Sequence, residues 1–169
     1  YCSGIKDVIN FSNLEFQKGT SNYGSVAYYA ENLANAPNGE IIGDWVFYTE
    51  SGQNYLGGCI GDYTEQLILP DDYKGESYNV RDYAFYDCPN LVSVTISSSV
   101  LGIGKSSFPS TVKKMIFMGN TPPRLPNGKI YNPSLTSGVV YVSNAETYGF
   151  GTEYTRLSSM FEVNGVKYV

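Results

Sequence analysis

The stretch Asp82-Tyr83-Ala84-Phe85-Tyr86-Asp87-Cys88-Pro89-Asn90-Leu91-Val92-Ser93-Val94-Thr95-Ile96 decides how the rest of the chain reads. Leu91, Val94 and Ile96 stand at the spacing L-x-x-L-x-L, and the last two alternate as in a strand with one buried face. Phe85 precedes them as an aromatic anchor across a Cys-Pro-Asn turn. The pattern returns downstream. Phe108 repeats the Phe85 anchor, and Val112, Met115 and Phe117 repeat the three-and-two spacing. The interval from Val94 to Met115 is slightly shorter than that from Phe85 to Phe108, a difference that an outer loop absorbs. Upstream, Leu67 and Leu69 supply an earlier strand. Leu69 and Ile96 are spaced more widely than the later equivalents because residues 71 to 79 lengthen the turn.

Two partial matches flank these units. Val140 and Val142 form an apolar pair near the C-terminus, where Val142 follows Phe117 by an interval similar to the others. At the N-terminus, residues 1 to 8 match 86 to 94 once one residue is dropped, with Cys2 on Cys88, Ile5 on Leu91 and Val8 on Val94, so the chain is expected to start in mid-coil. A coil of this length with one short strand cannot bury its own apolar face. Coils must stack and share a continuous core, and their strands then form a parallel sheet. Alternation sends Leu91, Val94 and Ile96 inward and leaves Val92, Ser93, Thr95 and Ser97 facing out.

The remaining N-terminal part is less regular. Residues 12 to 53 show no clean repeat and are expected to form a capping insertion, in which residues 26 to 33 fit either a strand or a short helix. Trp45-Val46-Phe47-Tyr48, Ser51-Gly52 and Asn54-Tyr55-Leu56 read as a β-hairpin with a glycine-containing turn. Antiparallel strands are therefore expected ahead of the first clear coil.

Residues 82 to 96, followed by Ile103-Gly104, resemble the leucine-rich repeat of BspA-like bacterial surface proteins. The resemblance covers residues 64 to 119, extends to the 139–142 strand with Ala145-Glu146-Thr147-Tyr148, and reaches faintly into the first eleven residues. Ser97 stands where proline is usual, and Asn10 takes a strand position where an apolar residue is expected. The resemblance implies a mostly β leucine-rich-repeat solenoid. Its short parallel strands would lie on a concave sheet, with loops and short helical turns on the convex side. It also implies export to the cell surface or beyond, and adhesion to host or bacterial surface proteins and glycoproteins, with no active site to carry over. The chain then reads as a single domain over 1–169. Within it, 1–11 is a partial repeat, 12–63 the irregular insertion and hairpin, 64–119 the clear repeats, and 120–169 a loop, last strand and cap.

Composition narrows the function independently. The chain has 169 residues, only 16% charged, with 16 Tyr and 18 Gly and a net charge of −5. That balance favours strands and turns over amphipathic helices. The charge comes from scattered carboxylates without a basic run, so nucleic acid is not an expected partner. No segment approaches the roughly 18 to 20 consecutive apolar residues of a membrane-spanning helix, so direct membrane insertion is not expected. Cys2, Cys59 and Cys88 are too few and too uneven for a disulfide framework and read as free thiols, although a bridge between Cys59 and Cys88 is harder to exclude than one to Cys2.

With no histidine in the chain, Ser-His-Asp and Cys-His constellations are excluded, and neither a catalytic residue, a metal site nor a cofactor is expected. Asp71-Asp72 reads as turn chemistry after Pro70, while Asp82 and Asp87 bracket Phe85 and either satisfy local backbone groups or face water. Gly102-Ile103-Gly104 lacks the further glycine and Lys-Ser/Thr pair of a phosphate loop. Residues 120–128 form a proline-dense loop that reads as a connector to the last strand, with a recognition edge as the alternative. Binding is expected on the outward strand face through Gln66, Ile68, Val92, Ser93, Thr95, Lys113, Lys114, Ile116, Met118 and Tyr141. The leading expectation is a non-enzymatic adhesion or protein-interaction module. Its rivals are a carbohydrate-binding module using Tyr131, Tyr141 and Tyr148, a structural spacer or cap, and a solenoid lyase, for which Arg81, Arg124 and Arg156 are too few to build a groove.

Overall fold

The computed structural model describes residues 5–16, 27–28, 30, 32–61, 65–125, 138–142, 147, 161–163 and 166–167. The described part is mostly β and contains no helix, and its strands stack in the manner of a β-solenoid. Two sheets enclose the main core. The first has six strands: β6 (Glu65–Ile68), β8 (Leu91–Ile96), β10 (Lys114–Phe117), β11 (Gly138–Tyr141), β12 (Phe161–Val163) and β13 (Val166–Lys167). All neighbours in it pair parallel except the terminal β12–β13 pair. The second has five strands: β3 (Glu40–Ile42), β4 (Trp45–Glu50), β5 (Gln53–Cys59), β7 (Tyr78–Val80) and β9 (Val100–Ile103). A separate parallel pair, β1 (Asp7–Asn10) and β2 (Asn32–Asn35), completes the description.

The register of the six-stranded sheet follows the repeat spacing. Leu67 pairs with Val94, Val94 with Met115, and Met115 with Val140. Leu67, Leu69, Leu91, Val94, Ile96, Met115, Phe117 and Val142 are all buried in the main core. The three-residue step from Leu91 to Val94 breaks strict alternation, and the structure resolves it with a β-bulge. Glu65 pairs with Leu91 and Gln66 with Ser93, which leaves Val92 as the extra residue. The second sheet does the same at Leu101, because Tyr78 pairs with Val100 and Asn79 with Gly102.

The side opposite the repeat strands differs from expectation. Instead of short helical turns it carries β7 and β9, and a third rung where Arg124 bridges to Gly102 in parallel. The described coils between β6 and β9 therefore pass alternately through one strand of each sheet, and residues 82–88 cross between the sheets through successive i→i+3 turns (Ala84 N to Arg81 O, Tyr86 N to Tyr83 O, Cys88 N to Phe85 O). Tyr78, Val80, Val100 and Ile103 of this second sheet face the repeat strands and are buried with them. The longer 67–94 coil carries a small hairpin at its corner, where Tyr73 and Glu76 exchange backbone hydrogen bonds around Lys74 and Gly75, both with positive φ. Asp72 Oδ1 accepts from Gly75 N at 2.6 Å within its own turn, whereas Asp82 Oδ1 accepts from Lys105 N at 2.6 Å and so links one coil to the next.

The expected hairpin is present. β4 and β5 are antiparallel, Glu50 pairs with Gln53, and the turn residues Ser51 and Gly52 have φ of 52° and 75°. This is the primed two-residue turn whose twist suits a right-twisted strand pair. The hairpin is not an isolated cap: β5 pairs parallel with β7, so it extends the second sheet. Phe47 on its inner side stacks on Tyr73 at 4.5 Å and meets Tyr78 edge-on at 5.3 Å.

The N-terminal partial repeat is corrected. β1 pairs only with β2, not with the six-stranded sheet, and Ile5, matched to the fully buried Leu91, is 37% exposed. Residues 26–33 give no helix at their described positions: Ala27 and Tyr28 lie in a turn, and the strand begins at Asn32. The β1–β2 pair instead covers part of the outer side of β4 and β5, forming a second small core of Ala34, Ala36, Val46 and Tyr48 with Ile9, Tyr55 and Ile60 against it. Gly57 and Gly58 permit this close approach, since a Cβ at Gly58 would lie 2.9 Å from that of Ala34. Asn10, in place of an apolar residue, is buried and donates to Asn35 Oδ1 at 2.8 Å. Ser97 is likewise buried, not outward: its Oγ reaches Asp71 O at 3.5 Å and accepts from Ser99 N.

Candidate functional site

Two outward rows run across the six-stranded sheet. Gln66, Ser93 and Lys114 occupy one, and Ile68, Thr95, Ile116 and Tyr141 the other. Ile68 is 58% exposed and Met118, just beyond β10, is 61% exposed. Tyr141 stands under Lys114, whose Nζ lies 5.5 Å from its ring centroid. The bulge turns Val92 outward beside Ser93, and Lys113 N donates to Val92 O at 2.7 Å, which sets exposed Lys113 next to exposed Val92. Met118 N donates to Ile96 O at 2.9 Å, fixing the other end of the face. All ten residues expected on the strand face thus lie on this sheet or at its strand ends. At one end an open cleft of about 630 Å³ is lined by Glu65, Pro89, Asn90, Val92, Ser110, Thr111 and Lys113.

The face is chemically mixed: two lysines, hydroxyl and amide groups, and exposed aliphatic, thioether and aromatic side chains. Its strands are held by a packed interior, so the positions are rigid. Among the described residues, no group of three or more His, Cys, Asp or Glu side chains is placed to hold a metal. Tyr131 and Tyr148, expected to accompany Tyr141 at one end, lie outside the described residues.

The sequence reading overlooked a second surface, the outer side of the five-stranded sheet. A cavity of about 740 Å³ opens there, with Tyr48, Tyr55, Asn79, Gly102 and Arg124 across it and Glu15, Glu50, Arg81, Asp82 and Tyr83 at its margins. Tyr48 and Tyr55 pair across β4 and β5, and their rings stack at 5.1 Å and 18°. Burial pushes the Tyr48 phenol up to about 12, with the adjacent Arg81 acting in the opposite sense. Arg81 Nη2 also lies 3.4 Å from Glu15 Oε1. The one signal for this surface in the sequence is Asn79, a polar residue between the two inward residues Tyr78 and Val80. It becomes informative only once the second sheet is known.

Cys59 and Cys88 are both buried, and neither is in a disulfide. They share a small cavity with Asn32, Leu33, Ala84 and Asp87. The hydrogen bond with Cys88, and then burial, hold the Cys59 thiol well above its ordinary range. Cys2 lies outside the described residues. No protein-family model, curated protein or solved structure matches this chain.

Proposed function

We propose that the chain is a non-enzymatic interaction module of an exported or cell-surface protein, a leucine-rich-repeat solenoid of the BspA-like kind that binds protein or glycoprotein partners through the outer face of the six-stranded sheet. The observation that carries this reading is the gathering of Ile68, Val92, Met118 and Tyr141 beside Lys113 and Lys114 on one regular surface, each of the four more than two-fifths exposed. Exposed Met, aliphatic and aromatic side chains offer apolar anchors, and the flanking lysines select partners with an acidic rim. The three-and-two spacing of the inward residues, matched strand by strand in the register, supports the repeat family. The absence of histidine from the sequence supports a binding role over hydrolytic catalysis.

Biolayer interferometry against immobilised extracellular-matrix proteins and mucin tests the reading, with a Lys113→Glu/Lys114→Glu variant of unchanged thermal melting as the control. Saturable binding that the variant loses is the expected result. No binding by either protein rejects the adhesive reading in favour of a spacer.

A further inference from the structure

The five-stranded sheet carries one residue from each successive rung in a continuous line across its outer side. Tyr48 pairs with Tyr55, Tyr55 with Asn79, Asn79 with Gly102, and Gly102 with Arg124. Neighbouring strands lie about 4.8 Å apart, so the line runs about 19 Å from the stacked tyrosines to the arginine. All five residues line the same cavity.

The middle of this line holds an unused acceptor. Asn79 is only 9% exposed, and its Nδ2 donates to Asn54 O at 3.4 Å. Its Oδ1 accepts no hydrogen bond among the described residues, yet no buried polar side-chain atom there lacks a partner, so this oxygen opens into the cavity. Gly102 keeps it open, because a Cβ at that position would lie 2.8 Å from Asn79 Oδ1. The Asn79 side chain is thus held in place by its surroundings while its oxygen stays available as an acceptor to a donor that enters the cavity.

The margins define what brings that donor. Glu15, Glu50 and Asp82 outnumber Arg81 and Arg124 in the cavity lining, which disfavours an anion. Arg81 is already engaged by Glu15 and lies against the Tyr48 hydroxyl, whereas the exposed Arg124 guanidinium makes no ion pair among the described residues. The opening is therefore rich in acceptors, with the Arg124 donor at the far end and the partly exposed Tyr55 at the near end. A ligand with many hydroxyl donors, a few acceptors, apolar ring faces and no negative charge satisfies all of these groups. An extended peptide would add its backbone along a sheet edge, and this line instead crosses the strands on a closed face.

We propose that this groove is a binding site for neutral oligosaccharides, with a sugar hydroxyl donating to Asn79 Oδ1, a sugar ring packed against the tyrosine end, and Arg124 donating to the distal unit. The site is separate from the outer face of the six-stranded sheet and stands or falls independently of it.

The test is isothermal titration of the full chain with neutral hexasaccharides of glucose, xylose, mannose and N-acetylglucosamine, with a sialylated oligosaccharide as the acidic control. Amide chemical shifts are followed in parallel. At least one neutral sugar saturates, and its shifts centre on Tyr55, Asn79 and Gly102. Gly102→Ala weakens it by at least roughly tenfold, by covering the acceptor. Tyr55→Ala weakens it too and serves as the deciding variant if Gly102→Ala lowers the melting temperature. Lys113→Glu/Lys114→Glu leaves it unchanged. Absence of binding by every neutral sugar, preference for the acidic control, or binding that survives both groove variants overturns the proposal.

Discussion

The rings of Phe85 and Phe108 lie face to face, 5.7 Å between centroids and 5° from parallel, so the aromatic anchors of successive coils touch directly. Trp45 of the β4 strand meets Phe85 edge-on at 6.5 Å, which continues the file into the hairpin. Both phenylalanines are fully buried, so the file packs successive coils against one another inside the core. Phe108→Ala is expected to cost about 3–5 kcal/mol, measured by urea denaturation. A double-mutant cycle with Phe85→Ala should show a coupling of about 0.5–1.5 kcal/mol beyond lost burial. Additive effects of the two substitutions would show that the rings do not act as a unit.

Asn10 and Asn35 form the polar counterpart of that file in the β1–β2 pair. Asn10 Nδ2 donates to Asn35 Oδ1, Asn10 Oδ1 accepts from Ser12 N at 3.0 Å, and Asn35 Oδ1 also accepts from Phe16 N at 2.9 Å while its Nδ2 donates to Phe16 O. Together the two amides tie the 11–16 loop to both strands. Asn35→Ala leaves several buried partners unmet and is expected to destabilise by about 1–3 kcal/mol. Hydrogen exchange should localise the loss to β1, β2 and the loop, because this pair has its own small core. Equal loss of protection throughout both sheets would contradict that division.

Two buried phenols are expected to contribute to an alkaline loss of stability, alongside the raised Cys59 thiol. Tyr78, fully buried, donates to Pro70 O at 2.6 Å, and burial pushes its phenol up from the ordinary value of 10.0. Tyr48 is raised to about 12 by the same cause. The folded state therefore keeps these protons after the unfolded chain has released them. Their contribution is complete below pH 10 and falls as pH rises above 10 through the folded-state values. Denaturation midpoints measured from pH 7 to 12 should decline on that limb, and Tyr78→Phe should flatten it while costing about 1 kcal/mol at neutral pH. An alkaline limb that Tyr78→Phe leaves unaltered would locate the titrating group elsewhere.

The thiols at Cys59 and Cys88 are expected to resist alkylation in the native protein, since both are buried and the Cys59 thiol is raised. After denaturation without reductant both should alkylate fully by mass spectrometry. Rapid native labelling, or a thiol masked until reduction, would contradict the free, inert pair.

Much of the six-stranded sheet is legible in the chain because its inward residues repeat at similar spacings: Leu67, Val94 and Met115 are neighbours in space as they are equivalents in sequence. The hairpin is legible for the same kind of reason, since Ser51-Gly52 specifies the turn locally. The second sheet is not. Its strands β7 and β9 are only three and four residues long, and the bulge at Leu101 disrupts the alternation that would reveal them. Arg124 joins that sheet from a proline-dense loop that reads as a plain connector. β1 misleads because Ile5 and Val8 copy the repeat spacing while Asn10 carries the decisive signal, a side chain that pairs with Asn35 on the neighbouring strand. The outward residues of the repeat strands follow from alternation plus the bulge at Val92, whereas the groove around Asn79 depends on strand order, which no local pattern encodes.

The most direct test of the proposed interaction face removes its apolar anchors without touching its fold. Ile68→Asp and Met118→Asp change side chains that are 58% and 61% exposed, so the folded state should tolerate both. Dissociation rates from a partner captured on immobilised matrix protein or mucin should rise at least roughly tenfold for each variant with melting temperature unchanged, as expected where exposed apolar anchors carry the contact. Dissociation indistinguishable from that of the unsubstituted chain in both variants would contradict binding through the outer face of the six-stranded sheet.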